Sequence, residues 1–315
     1  MVKKWLPWVV KGGLSVGLTA WVLSKVDLAA AWQQAKAIDP AMLVMSVALM
    51  VFQTVLGAVR WGMVLHALES RLGWVKTLAV YYIGVFFSIV LPGAVGGDAV
   101  RMWYSRKHGL SVSGAVNSVM LERAVTVYAL VLLVCLTQPI LLERLPGLPG
   151  AWAFLLLAVC TGGILLLAGL DRLPEALRRW KLVRGLAALA ADTRALFFHF
   201  GYGGGTLAVA LVGHTNLSMA VYVLAVGLGL DVHILDCLVL VPPVMLVMTL
   251  PISIAGWGVR ETAMVTAFGF VGVSPESAVV LSVVFGVVNM VSCTPGGFLF
   301  LTSSVRRVRP AELDA

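Results

Sequence analysis

The amino-acid sequence predicts an all-α protein, a polytopic bundle of membrane helices. Three observations support this prediction: 60% of the 315 residues are hydrophobic, only 12% are charged, and long apolar runs recur along the chain. Soluble domains contain about 25% charged residues, so this chain cannot cover its surface with polar groups. The composition therefore excludes a soluble enzyme, a nucleic-acid-binding protein and a disordered scaffold, and the net charge of +8 requires another explanation.

Eight apolar regions follow one another, and each is a candidate for a membrane helix of about 20 residues. They lie at residues 6–24, 41–64, 77–97, 114–138, 151–170, 204–230, 237–271 and 276–304. The first is predicted to be an uncleaved membrane helix. The four cysteines lie far apart and each within an apolar run, so we expect neither a metal site nor a disulfide. No motif for a cofactor occurs, and none is expected to bind.

Lysine and arginine residues orient the chain in the membrane. If region 77–97 crossed as an ordinary helix, the basic segment 171–200 would lie outside, against the tendency of basic loops to remain in the cytoplasm. Region 77–97 ends in Leu-Pro-Gly-Ala-Val-Gly-Gly-Asp, which cannot continue a helix. We therefore predict a re-entrant hairpin there and a second one at 237–271. The result is about six full crossings and two re-entrant hairpins, with both termini in the cytoplasm.

The basic segment predicts a connecting helix over 171–204. Its leucine and tryptophan residues recur at helical spacing, so it either lies along the inner membrane surface or is a solvated connection that fixes the topology. The glycine residues at 201 and 203–205 predict a flexible joint before the sixth apolar region.

The two irregular regions resemble each other. Leu91–Arg101 can be aligned without gaps to Leu250–Arg260, an offset of 159 positions, with Leu, Pro, Gly, Val and Arg coinciding. Because one hairpin enters from each side, the two copies would be inverted, which is typical of secondary transporters. The chain is thus one membrane domain, 1–315. It comprises a first half-repeat (1–170, re-entrant element 77–101), the connecting helix (171–204) and a second half-repeat (205–315, re-entrant element 237–271).

A break in a membrane helix frees backbone groups, which is tolerated only where they line a cavity or are buried in protein. In the first break, the glycine amides beside Arg101 and Arg106 could cradle a phosphate, because helix N-termini and guanidinium groups bind anions. Asp98 could hold an arginine in place or carry a coupling proton. Alternatively, it caps the following helix and pairs with Arg101.

Charged residues within other apolar regions are further candidates. The adjacent Arg260 and Glu261 predict a functional role, because charge inside a membrane is costly unless it faces a cavity. Glu122 and Arg123 either function or extend to the interface. Arg60, with the neighbouring tryptophan, is predicted to be an interfacial anchor. The candidate substrate-binding residues are Pro92, Gly93, Gly96, Gly97, Asp98, Arg101, Arg106, Glu122, Arg123, Pro251, Gly256, Gly258, Arg260 and Glu261.

Three stretches together resemble the flippase-like transmembrane family of the lysylphosphatidylglycerol synthases. They are the run 86–101, the Leu-Glu-Arg triplet at 121–123, and the run 251–261. The resemblance covers nearly the whole chain and implies a polytopic, lipid-handling protein of bacterial inner membranes. The synthases also carry a cytosolic aminoacyl-transfer domain, and we do not expect that activity here. Family members often have an acidic residue one turn after the Glu-Arg pair, where this chain has Thr126, so any charge network there would be weaker.

Two functions follow from these features. The first is a lipid translocase that moves a phospholipid or glycolipid headgroup between leaflets through a site built from the two broken helices. The alternative is a membrane-embedded lipid-modifying enzyme, or an accessory subunit of lipid, hopanoid or glycolipid biosynthesis, with a carboxylate as acid or base. No catalytic motif occurs, which favours the first. The expected partner is a membrane lipid with an anionic or phosphate-bearing headgroup, together with possible lipid-biosynthesis enzymes and no nucleic acid.

Overall fold

The computed structural model describes residues 28–70, 72–91, 96–144, 152–170, 181–249 and 258–302. These residues form eleven α-helices and no strand, which confirms the predicted all-α class. The helices are α1 (Leu28–Lys36), α2 (Pro40–Ala67), α3 (Trp74–Val90), α4 (Gly96–Lys107), α5 (Val112–Arg144), α6 (Trp152–Ala168), α7 (Lys181–Phe197), α8 (Phe200–Gly227), α9 (Ile234–Met248), α10 (Val259–Gly269) and α11 (Pro275–Thr302). The first predicted crossing, 6–24, lies outside the described residues.

Four of the described helices, α2, α5, α8 and α11, are long and apolar enough to cross a membrane. The 28 residues of α2 extend about 42 Å at 1.5 Å per residue, more than the ~30 Å of a bilayer core. Large apolar side chains remain exposed on the outside of the bundle, including Val159 and Leu166 on α6 and Phe298 on α11. The lipid-facing exterior confirms a polytopic membrane bundle.

Two pairs of shorter helices lie between long helices along the chain, α3 and α4 between α2 and α5, and α9 and α10 between α8 and α11. Helices α3 and α4 pack against each other, as do α9 and α10. They contain 17, 12, 15 and 11 residues, so each extends less than about 26 Å. Each apolar region that the sequence marked as irregular, 77–97 and 237–271, is therefore divided between two short helices. The breaks themselves, 92–95 and 250–257, lie outside the described residues, and the re-entrant path through the membrane stays a prediction.

The packing of the bundle has a twofold pattern. Helix α2 packs lengthwise against α8 at the centre. In the first half of the chain α3 contacts α2, and in the second half α9 contacts α8. Each pair also contacts a long helix from the other half of the chain: α3 packs on α11, and α9 packs on α5. The four helices α2, α3, α4 and α5 therefore correspond in order to α8, α9, α10 and α11. When each helix is replaced by its counterpart, the contacts named here are reproduced.

The connection between α7 and α8 differs from the sequence-based expectation. Helix α8 begins at Phe200, so the glycine residues at 201 and 203–205 form its first turns and are not a flexible joint. The reason lies in close packing at the join. A Cβ at Gly203 would lie 2.9 Å from the carbonyl oxygens of Leu196 and Phe197 at the end of α7. Glycine is required there so that the two helices can meet, and α7 itself packs against α5, α6 and α8.

Candidate functional site

A buried carboxylate lies at the centre of the first half of the bundle. Glu122, on α5, is 2% exposed. Its Oε1 accepts a hydrogen bond from Arg60 Nε of α2 at 2.9 Å and another from Arg60 Nη2. Its Oε2 accepts from Arg101 Nη2 of α4 at 2.8 Å. One carboxylate thus joins three helices through two guanidinium groups, an arrangement that charge-assisted hydrogen bonds stabilise.

Aromatic rings enclose the Arg101 side of this network. The guanidinium carbon of Arg101 lies 4.9 Å from the ring centroid of Trp61 and 5.0 Å from that of Tyr81. Such contacts stabilise a cation most strongly where water is excluded. The Nε of Arg101 is buried and has no hydrogen-bond partner among the described residues.

Asp98 and Arg123 form a second pair next to the first. Arg123 Nε and Nη2 donate to the two oxygens of Asp98 at 2.8 and 3.1 Å. Asp98 lies in the first turn of α4, where the helix dipole favours a negative charge. Arg101 Nη2 is 3.6 Å from Asp98, so the predicted pairing of these two residues is present but is longer than that with Arg123. The Arg123 side chain is 50% exposed, in contrast to Glu122 beside it in the sequence.

Polar residues of α5 and α8 surround the network. Thr126 Oγ1 donates to the Glu122 carbonyl at 2.8 Å and lies 3.4 Å from Oε1 of the same residue. The Thr126 carbonyl is 3.0 Å from His214 Nε2, and Asn216 Nδ2 donates to Gln53 Oε1 of α2 at 3.1 Å. Thr126 therefore belongs to the network as a hydroxyl.

The second broken region supplies a separate cluster on α10 and α11. Arg260 Nη2 donates to Glu261 Oε1 at 2.8 Å, and Arg260 Nε donates to Ser282 Oγ of α11 at 3.0 Å. The Ser282 hydroxyl donates to the same carboxylate oxygen at 3.1 Å. Glu261 Oε2 accepts the backbone N–H of Gly258 at 2.6 Å. Gly258 has a φ of +82°, which glycine adopts without steric cost, and this turn places the N–H at the carboxylate.

The predicted candidates thus divide into three groups. Two sets are brought together, namely Asp98, Arg101, Glu122 and Arg123 in one cluster and Gly258, Arg260 and Glu261 in the other. Gly97 and Arg106 have other contacts. A Cβ on Gly97 would lie 2.1 Å from a carbonyl oxygen of α3, so this glycine permits close helix packing, and Gly96 lies beside it at the start of α4. Arg106 donates to the Leu110 carbonyl at 3.0 Å. Pro92, Gly93, Pro251 and Gly256 lie outside the described residues.

Sequence reasoning misplaced Arg60 and, in one of its two alternatives, Glu122, and it overlooked other residues of the site. Arg60 is not an interfacial anchor, because it and Trp61 are buried and Arg60 binds Glu122. Extension of Glu122 to the interface is likewise wrong, since that side chain is enclosed. Tyr81 and Ser282 were missed because an aromatic or hydroxyl residue within an apolar run carries no charge signal. Among the described residues, no group of three histidine, cysteine or acidic side chains could hold a metal ion.

Comparison with known proteins agrees with this architecture. The model of the family described as the lysylphosphatidylglycerol synthase TM region matches residues 8–297. A comparison with curated proteins found no match. The matched range covers nearly all of the 315 residues and includes every residue of the two clusters. This chain therefore belongs to the lysylphosphatidylglycerol synthase TM-region family and is a multi-pass membrane protein with a lipid-related function.

Proposed function

We propose that this protein is a translocase that moves a phospholipid or glycolipid headgroup between the two leaflets of a bacterial inner membrane. The observation that carries this proposal is the buried network of Arg60, Glu122 and Arg101 within an apolar bundle. Ionic groups in the interior of a membrane protein are costly and usually mark the path of a polar substrate. A lipid headgroup is the polar substrate that this family's relation to membrane phospholipids suggests.

The packing of the helices supports a transport mechanism. We propose that α2 to α5 and α8 to α11 are inverted repeats, with α3–α4 and α9–α10 as re-entrant hairpins. The exchange pattern of the contacts and the aligned arginines, Arg101 and Arg260, support this assignment. In transporters of this type the substrate site lies at the repeat interface, and one repeat moves against the other to expose it alternately. Both termini would then lie in the cytoplasm, as the distribution of basic residues predicts.

The arrangement of the carboxylates favours a translocase over a lipid-modifying enzyme. An enzyme would require Asp98, Glu122 or Glu261 as general acid or base. Each of these three carboxylates accepts hydrogen bonds from an arginine. The three carboxylates therefore act as counter-ions of arginine side chains. A guanidinium group is also a good ligand for the phosphate of a lipid headgroup.

Proteoliposomes that contain fluorescent phospholipids test the proposal. The purified protein should accelerate transfer of labelled lipid between leaflets relative to protein-free vesicles, measured by chemical quenching of the outer label. Arg101→Gln should reduce transfer at least tenfold at equal amounts of reconstituted, monodisperse protein. Lys76→Gln, which removes a positive charge from an exposed position of α3, is the matched control and should transfer normally.

Two outcomes would contradict different parts of the proposal. If several lipid classes move no faster than in empty vesicles, the protein is not a translocase. If transfer is present and both Arg101→Gln and Arg260→Gln retain it, the translocase assignment survives and the site assignment is wrong.

A further inference from the structure

The charges of the first cluster do not balance. Among the described residues, three guanidinium groups, those of Arg60, Arg101 and Arg123, face two carboxylates, those of Asp98 and Glu122, which leaves one net positive charge. The neighbouring break, residues 92–95, reads Pro-Gly-Ala-Val and can supply no further carboxylate. An excess of positive charge at a site favours binding of an anion over a neutral or zwitterionic group. A single monovalent anion would make the cluster neutral.

We propose that the lipid which this site takes up carries a monoanionic headgroup, a phosphodiester with no compensating cation, and that Arg123 is the residue that binds it. This inference rests on the proposed translocase function and names its substrate class. A zwitterionic headgroup would leave the positive charge uncompensated and bring a second cation near the arginines. A phosphomonoester with two negative charges would exceed the available charge.

Exposure distinguishes Arg123 from the other two arginines. The side chains of Arg60 and Arg101 are 6% and 5% exposed and both bind Glu122, whereas that of Arg123 is 50% exposed. A guanidinium group has five N–H donors, and the two bonds to Asp98 occupy only part of this set. Asp98 thus acts as a positioning residue that orients Arg123, while the N–H donors of the guanidinium group that do not bind Asp98 can bind a phosphate through paired hydrogen bonds.

The second cluster lacks this property. Arg260 is balanced by Glu261, both are buried, and the carboxylate is further bound by Ser282 and the Gly258 amide. In the part of the chain that the structure describes, this cluster has no excess charge, and its arginine is 5% exposed. The two halves of a symmetrically packed bundle therefore differ electrostatically, and the headgroup is expected to bind in the first half.

Selectivity between headgroups tests the inference. In proteoliposomes with acyl-labelled probes, phosphatidylglycerol, with one negative charge, should move at least tenfold faster than zwitterionic phosphatidylcholine. Arg123→Gln makes the cluster neutral and should reduce this ratio to about one. Asp98→Asn raises the net charge to two and should shift the preference toward phosphatidic acid. Lys76→Gln should keep the original ratio.

The outcomes separate this inference from the proposed function. If the protein transfers phosphatidylglycerol and phosphatidylcholine equally, the inference is overturned and the translocase remains. If no probe moves, the translocase is overturned, and binding in detergent decides the inference: preferential thermal stabilisation by phosphatidylglycerol, lost in Arg123→Gln, supports it. Equal stabilisation by both lipids, or a preference that Arg123→Gln leaves unchanged, overturns it.

Discussion

Glu122 should contribute more to the stability of this fold than any exposed charge of the same network. Glu122→Gln keeps the volume of the side chain and removes its negative charge. In the wild-type protein Arg60 and Arg101 each donate to this carboxylate, one to each oxygen. The variant leaves two buried guanidinium groups next to each other, with a neutral amide between them.

The magnitude follows from the burial of the pair. Removing one partner of a buried ion pair destabilises a protein by about 3–5 kcal/mol, because the remaining charge has no counter-ion. Here the lost carboxylate serves two arginines, so the upper part of that range is expected. For a chain of this size this corresponds to a decrease in Tm on the order of 10 °C. Arg123→Gln, which changes a half-exposed arginine, should change the stability by no more than about 1 kcal/mol.

Thermal unfolding of the purified protein in detergent, followed by size-exclusion profile and tryptophan fluorescence, measures both effects. The double variant Arg60→Gln with Glu122→Gln removes one of the uncompensated cations and should recover part of the lost Tm. A Tm of Glu122→Gln within 2 °C of wild type would refute the reasoning, since it would mean that the carboxylate is not the counter-ion of both arginines.

Three further predictions concern packing, the second cluster and pH. Gly97→Ala should destabilise the protein by about 1–3 kcal/mol, because the added methyl group would overlap a carbonyl oxygen of α3, whereas Gly163→Ala, with nothing within 4 Å of the added carbon, should be neutral or slightly stabilising in the same thermal assay. Ser282→Ala should cost about 1–3 kcal/mol, seen as a lower Tm, because the variant loses hydrogen bonds to Arg260 and its carboxylate partner. Burial raises the pKa of the Asp192 carboxyl on α7, so the folded state binds this proton more tightly than the unfolded chain and loses stability as the pH rises from about 4, the ordinary pKa of aspartate, through the raised pKa of the folded state. Asp192→Asn should remove this dependence and raise the Tm at neutral pH; an unchanged profile between pH 4 and 8 would contradict it.

The sequence predicted the spanning helices closely, because the requirement behind them is local. Within a bilayer, backbone groups must bond within their own segment, so an apolar run of sufficient length becomes a helix. The predicted regions 41–64 and 276–304 correspond to Pro40–Ala67 and Pro275–Thr302. The glycine residues at 201 and 203–205 were predicted to form a flexible joint, because the sequence shows only the local backbone freedom of glycine. The structure shows instead that glycine is needed for a tertiary contact, the packing of α7 on α8.

The site could be predicted only in part, for a related reason. Intramembrane charge identified Arg101, Glu122 and Arg260 as candidates, because a charged residue within an apolar run can be recognised without knowledge of the tertiary structure. The partners of Glu122, however, lie 21 and 62 positions earlier in the chain. Hydropathy does not indicate which side of a helix a neighbouring helix covers, so Arg60 was assigned to the interface. Only the packing of α2 against α5 places it on the carboxylate.

The proposed repeat also explains why the two clusters differ. At the offset of 159 that aligns Arg101 with Arg260, Glu261 corresponds to Met102 and Ser282 corresponds to Arg123. In the second half the counter-ion is the adjacent residue, and a neutral hydroxyl from the following long helix completes the cluster. In the first half the adjacent position is apolar, so the counter-ion comes from α5 instead. The same helix also contributes a further arginine at the position of the serine. The excess charge therefore arises at aligned positions of the two halves, because Arg123 occupies the position of Ser282. The proposal that the first cluster binds a headgroup thus depends on Arg123.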